Sequence, residues 1–257
     1  MNLLQNTLFI NLESREDRKF HVVHQLKQLG VENPQRFNAV KTASGAVGCS
    51  LSHIKCIELA KKNEWDYVAV IEDDFKCVNP EIFRSSLKKF QEKSENDGIQ
   101  WDVLLLGGNN VPPYTVPAGV DYCVQITNVQ STVGYIVKKS FYDTMIANYR
   151  EGVAQLMKNP TNKRQFAIDM YWKTLQSSGR WFMLTPLTIT QCESYSDVEQ
   201  RNTNYDNLML DLDKKWLFEQ AYMQQTLQNM TVIKNVNTPV IPQTQSQNNN
   251  FVFPFFK

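Results

Sequence analysis

Three consecutive carboxylates, Glu72, Asp73 and Asp74, follow directly on a strand-forming run, Tyr-Val-Ala-Val-Ile, at residues 67–71. Neighbouring carboxylates repel and raise one another's pKa, so such a triplet is costly unless something positive shares the site. On an extended backbone side chains alternate, which predicts Glu72 and Asp74 on one face and Asp73 on the other. Two carboxylates at a strand's end are hard oxygen ligands suited to Mg²⁺ or Mn²⁺, ions that also bridge substrate phosphates. The competing reading is a solvated turn that caps a strand, and the rest of the chain has to decide between the two.

The elements that must position the triplet read as alternating strands and helices. Residues 7–12, TLFINL, form an apolar run; a helix follows in which Ser14 is the expected cap, Asp17 completes a capping box, and Phe20, Val23, Leu26 and Leu29 recur at helical spacing until Gly30. Residues 36–40 read as a second strand and residues 50–63 as a second helix, leading into the strand that carries the triplet. A third helix is expected over 80–93, with Asn79 as cap and Pro80 at its first position. Later come strands at 101–108, 122–127 and 132–140, a helix through 141–149, a helix over 166–176 with Asp169 near its start, an extended run at 181–191 broken by Pro186, and an amphipathic helix over 211–229. This grammar predicts an α/β fold with a mostly parallel central sheet flanked by helices. The polar, Pro-interrupted stretch 238–257 reads as a flexible tail whose aromatic end, FVFPFFK, packs on the domain's own surface or a partner's.

In such sheets ligands bind beyond the carboxyl ends of the strands, and four features converge there. Asn11, Arg15 and Arg18 lie just past the first strand. The expected helix start at Ser50, Ser52 and His53 offers backbone amides to an anion, with Lys55 nearby. The carboxylate triplet ends the next strand, and Gly107-Gly108 ends a further one, where a ligand could approach the backbone. Taken singly each has a plainer reading: Arg15 and Arg18 as surface partners of Glu13 and Asp17, His53 as a hydrogen-bonded core residue, the glycines as a turn, and Asp169 as a helix-start carboxylate.

The whole chain bounds the rest. At 257 residues it can bury a sizeable core, and 27 Lys and Arg against 26 Asp and Glu leave a formal charge of +1, with no footprint for nucleic acid. The N-terminal stretch lacks the order of a signal peptide and no apolar run approaches a membrane span, so a soluble, cytoplasmic protein is expected, with peripheral membrane contact and a homodimer left open. Five scattered cysteines without a CxxC pair read as reduced core or near-core thiols, and the sequon at Asn229 as chance.

The ordered blocks FINLESREDRK, RFNAV, GAVGCSLSHIKCIELA and YVAVIEDDF resemble the family 25 glycosyltransferases over residues 7–76; WDVLLLGG, STVGYIVKKSFYDTM, AIDMYW and QCESYSDVEQRN are similar to its later blocks. The resemblance implies a GT-A fold over residues 1–237, with a Rossmann-like nucleotide-sugar half (1–110) and a smaller acceptor half (111–237). It implies an inverting transfer of galactose or glucose from a UDP-sugar to a hydroxyl of a glycan or glycoconjugate, with Mn²⁺ or Mg²⁺. Asp74 is then the direct metal ligand, Glu72 a ligand through water or a contact to the donor's ribose, and Asp169 the base. Asn11, Arg15, Arg18, Asn38, Ser52, Lys55, Glu72 and Asp73 are the expected donor contacts, with the 107–113 loop and Tyr135 as rim. The chain departs from a plain DxD by having Glu first, and its histidines, His21, His24 and His53, include no late one to complete a metal shell. Two rival readings are a metal-dependent phosphoryl or nucleotidyl transferase using the same carboxylates, and a non-catalytic glycan-binding or structural protein on the same scaffold.

Overall fold

The apolar runs become sheet because each offers two faces to bury. In the strand β3 (Tyr67–Glu72), Val68, Ala69, Val70 and Ile71 are all fully buried; β1 (Thr7–Asn11) is buried along its length. Strand alternation divides them, with Ala69 and Ile71 in one hydrophobic layer and Val68 and Val70 in the other. The structure is a computed structural model that describes residues 2–196, 201–217, 219, 220 and 223; for 194–196 and 201–203 it describes the backbone alone.

The remaining strands are β2 (Gln35–Asn38), β4 (Phe75–Cys77), β5 (Val103–Leu105), β6 (Asn109–Asn110), β7 (Tyr114–Thr115), β8 (Cys123–Ile126), β9 (Val129–Gln130), β10 (Gly134–Lys138), β11 (Trp181–Leu184) and β12 (Ile189–Gln191). Eight of them form the main sheet in the order β2-β1-β3-β10-β5-β11-β8-β7. β1 is parallel to β2 and β3, β5 is parallel to β11, and β10 and β8 each run antiparallel to both neighbours. Six strands therefore point one way and two, β8 and β10, the other, which gives the mostly parallel α/β sheet the sequence predicts. Strands from before and after residue 110 interleave, since β10 sits between β3 and β5, so the two halves expected from the resemblance share one sheet.

Helices cover both faces. The helices α1 (Glu16–Gln28) and α3 (Pro80–Lys93) bring Val22, Leu26, Phe83, Leu87 and Phe90 against Phe9 and Ile71. On the other face α2 (Gly45–Lys62) and α4 (Tyr142–Lys158) bring Ile54, Ile57, Met145 and Tyr149 against Ile10 and Val70. α3 starts as its sequence says it must: Asn79 accepts from the Ile82 amide and Pro80 occupies the first position, where its missing N–H costs nothing.

Four local expectations are corrected. α1 begins after Arg15, not Ser14, with no side-chain cap; it buries Val22 and Leu26 and leaves Phe20 77% exposed, so its apolar stripe is narrower than the sequence spacing suggests. α2 begins at Gly45, one and a half turns before Ser50, and α4 runs on to Lys158. The single helix expected over 166–176 is two one-turn helices, α6 (Ile168–Tyr171) and α7 (Lys173–Gln176), preceded by a third, α5 (Lys163–Phe166), that ends where the expected helix begins. The break before α6 is Ala167, whose ψ of 151° is extended.

Residues 1–213 make one compact unit and residues 214–257 a second. The tail 238–257 and Asn229 lie outside the described residues, as does most of the helix expected at 211–229. No helix among the described residues is long and apolar enough to cross a membrane. Cys49, Cys56, Cys77, Cys123 and Cys192 are all free thiols.

Candidate functional site

Because β1 and β3 are parallel neighbours, their carboxyl ends lie side by side, and the register pairs Ile10 with Glu72. β10 runs the opposite way, so its entry, Ser131 to Val133, meets the same edge; the Glu72 amide donates to the Val133 carbonyl at 2.9 Å. This edge gathers most of the carboxylates singled out in the sequence.

The triplet is not simply alternating strand. β3 ends at Glu72, and Asp73 and Asp74 form the turn into β4, so strand geometry does not set their directions. Asp73 turns toward β1 and α1: its Oδ2 accepts from Asn11 Nδ2 at 2.8 Å and its Oδ1 from Arg18 at 3.0 Å. Asp74 accepts from the same Arg18 nitrogen at 3.5 Å and from Gln191 at 3.3 Å. Glu72 Oε1 faces the other way and accepts from Thr132 Oγ1 at 2.5 Å, with His53 Nε2 at 3.2 Å and the Cys49 thiol at 3.9 Å. Asp169, in the first turn of α6, accepts from the Ser131 amide at 3.1 Å. Ser131 has φ +76°, a left-handed conformation that a non-glycine residue rarely holds, and it turns this amide toward Asp169.

The charge balance is unfavourable for the protein alone. Burial, then the charge of Glu72, push Asp74 up to about 7, against the opposing pull of Arg18. Burial also raises Asp73, opposed by Arg18 and Asn11, and raises Asp169, with Glu72 adding to the rise and Lys173 opposing it. For Glu72 burial acts upward too, but the hydrogen bond and charge of His53 and the bond from Thr132 bring it below the usual carboxylate value. A divalent cation would relieve such repulsion, since carboxylate oxygens are hard ligands of the kind it takes.

The other expected site residues fall into two groups. Asn11, Arg18 and Asn38 belong to the edge network: Arg36 donates to Asn11 Oδ1, to the Asn11 carbonyl and to Asn38 Oδ1, fixing the amide that holds Asp73. Ser52, Lys55, Arg15 and the two glycines are placed otherwise. Ser52 is buried, donates to the Gly48 carbonyl and accepts from the Val40 amide, which pins the 39–42 loop to α2. Since α2 begins at Gly45, residues 50–53 lie inside the helix and do not form its anion-binding end. Lys55 is exposed, and at 100° per residue it points about 200° around the helix from buried His53. Arg15 makes two bonds to Asp17 at the surface, and its guanidinium holds that carboxyl at about 2.

Gly107 and Gly108 are packing positions. A Cβ on Gly107 would stand 2.6 Å from Ile189 Cβ, and one on Gly108 2.5 Å from Val129 Cγ1. Gly107→Ala is therefore expected to cost about 1–3 kcal/mol of stability in urea unfolding, the usual range for overpacking. A neutral variant that lost ligand binding would restore the reading of these glycines as a place of ligand approach. Tyr135, expected at the rim, is fully buried and bonds His53 Nδ1 at 3.0 Å.

Arg36, Ser131, Thr132 and Gln191 went unnoticed in the sequence, because nothing in their spacing ties them to the triplet. Cys49 and His53 carry a local signal, an i,i+4 pair that shares one helix face.

No family model matches the chain and no curated protein does either. Solved structures share a fold likeness at low identity. A glycosyltransferase involved in glycosylation of the major capsid of PBCV-1 has a TM-score of 0.49 at 10% identity, covering 76% of this chain and 95% of that one. A UDP-glucose pyrophosphorylase complexed with UDP-glucose has 0.42 at 9%, covering 74% and 92%. A mutant Drosophila β-1,4-galactosyltransferase 7 in complex with manganese, UDP-Gal and xylobiose has 0.40 at 10%, covering 78% and 75%. At this level the likeness does not extend to activity or substrate, which have to be argued from the site itself.

Proposed function

We propose that the protein is a metal-dependent glycosyltransferase of GT-A type that moves a hexose, galactose or glucose, from a UDP-sugar to a hydroxyl of a glycan or glycoconjugate, with inversion. The observation that carries this reading is the meeting of Glu72, Asp73 and Asp74 with Asp169 at one sheet edge, where burial raises Asp73, Asp74 and Asp169 and the charge of Glu72 adds to each rise.

Asp74, with Glu72, would hold Mn²⁺ or Mg²⁺, and the ion would supply Lewis-acid stabilisation of the departing diphosphate. The chain's own groups supply the rest. Arg18 is 14% exposed and already bound to Asp73 and Asp74, so it adds positive charge beside the leaving group. Asn11, held by Arg36, keeps Asp73 in place. Asp169 is held by the Ser131 amide and is raised by burial; that makes it a stronger base than an ordinary carboxylate for the acceptor proton. Orientation of the two substrates against these fixed groups contributes to lowering the barrier.

The same carboxylates suit a nucleotidyl transferase, and the two readings separate on turnover. Incubated with Mn²⁺, the protein is expected to release UDP from UDP-galactose or UDP-glucose and to release no pyrophosphate from UTP with a sugar 1-phosphate. Pyrophosphate release without UDP release would overturn the proposal in favour of the nucleotidyl transferase.

A further inference from the structure

The Cys49, His53 and Glu72 side chains meet at the α2 edge of the site; the transfer reading uses Glu72 but neither Cys49 nor His53. We propose that they form a binding site for a thiophilic divalent cation of the zinc class.

The geometry comes from three elements. Cys49 and His53 are one turn apart on α2, so both point at the end of β3, where Glu72 emerges. His53 Nε2 and Cys49 Sγ stand 3.2 and 3.9 Å from the same Glu72 oxygen, and the three ligand atoms all lie within 4.8 Å of one another. Zinc bonds of about 2.3 Å to sulfur and about 2.0 Å to nitrogen or oxygen place tetrahedral ligand atoms about 3.3–3.6 Å apart, a spacing reached here by small side-chain shifts. Sulfur and imidazole together select zinc over manganese or magnesium.

The outer groups fit as well. His53 is fully buried, and its Nδ1 is engaged by the Tyr135 hydroxyl, which fixes the ring with Nε2 toward Glu72. Ligating histidines ordinarily have such a partner on the second nitrogen. Thr132 orients the Glu72 carboxylate. The side chain of Glu72 is 21% exposed and leaves an approach from solvent. Binding replaces the thiol proton of Cys49 by the metal, the proton leaves to solvent, and a tetrahedral ion keeps its fourth position for water. One consequence rests on the donor-site reading: a cation held here engages Glu72 and competes with the ion at Asp74. The binding itself is independent of that reading.

The test uses the full chain, reduced and stripped with chelator, titrated with Co²⁺ as a spectroscopic substitute for zinc. The expected result is a near-ultraviolet thiolate-to-cobalt absorption that saturates at one equivalent and is displaced by Zn²⁺. It should be lost in Cys49→Ser and kept in Cys192→Ser and Asp74→Asn. Tyr135→Phe should keep the band but weaken the affinity roughly 10–100-fold. Alkylation mapped by mass spectrometry needs no variant: Zn²⁺ should shield Cys49. Absence of the band in wild type, its survival in Cys49→Ser, or shielding centred on Cys192 would each overturn the proposal. None of these readouts involves a nucleotide, so the failure of the transferase reading leaves them unaffected.

Discussion

Asp74→Asn is expected to make the metal-free protein more stable. The Asp74 side chain is only 16% exposed, and burial with Glu72 lifts it from 3.8 to about 7. Between those values the folded protein holds a proton that the unfolded chain has released, so the unfolded state binds fewer protons and stability falls as pH rises. Above about pH 7 the carboxylate is charged in both states and the cost is fully present, on the order of 2–4 kcal/mol. Asparagine removes that cost while keeping the side chain's size. The variant should therefore unfold at higher denaturant than wild type at about pH 8, and the difference should close as the pH falls toward about 4. With Mn²⁺ the order changes, because only the wild type gains stability from the ion by mass action. A variant less stable than wild type at both pH values would show that the charge of Asp74 is already well compensated.

Asp169→Asn should separate binding from chemistry. The amide is close in shape to the carboxylate and its oxygen still accepts from the Ser131 amide, so α6 and the donor contacts stay in place. What is lost is a base, and removal of a general base lowers turnover by about 10²–10⁴-fold. The expected outcome is such a loss in kcat with an acceptor present and an unchanged affinity for UDP. In wild type the same rate should rise with pH through an ionisation above the ordinary carboxylate value, because burial raises Asp169. Full turnover in Asp169→Asn would remove Asp169 from the mechanism and return it to a helix-start carboxylate.

Much of the scaffold was legible because it depends on local pattern. The apolar runs, the Asn79-Pro80 start of α3 and the placement of Glu72 at the end of β3 each follow from residues close in sequence. Sheet order was less so: β10 enters antiparallel between β3 and β5, and its pairing with β3, across more than sixty residues of chain, leaves no local mark. The same limit governs the site. Strand alternation misplaced Asp74, because the chain turns at that point and Asp74 shares Arg18 with Asp73 instead of facing with Glu72. An early helix start at Gly45 carries Ser50 and Ser52 into the helix interior, where they bond back to the carbonyls of Ala46 and Gly48. Thr132 and Ser131 act through tertiary contacts with Glu72 and Asp169, and no motif in the chain announces them.

On the proposed function the Asp74 edge would hold a metal together with a nucleotide diphosphate. Calorimetric titration of UDP into the full chain, with and without Mn²⁺, tests it most directly, with Asp74→Asn as the control. The expected result is UDP binding that depends on Mn²⁺ in the wild type and is lost in the variant. Binding of equal strength in both proteins, or none in either under any metal condition, would contradict it and leave the three carboxylates as a buried structural network around Arg18 and His53.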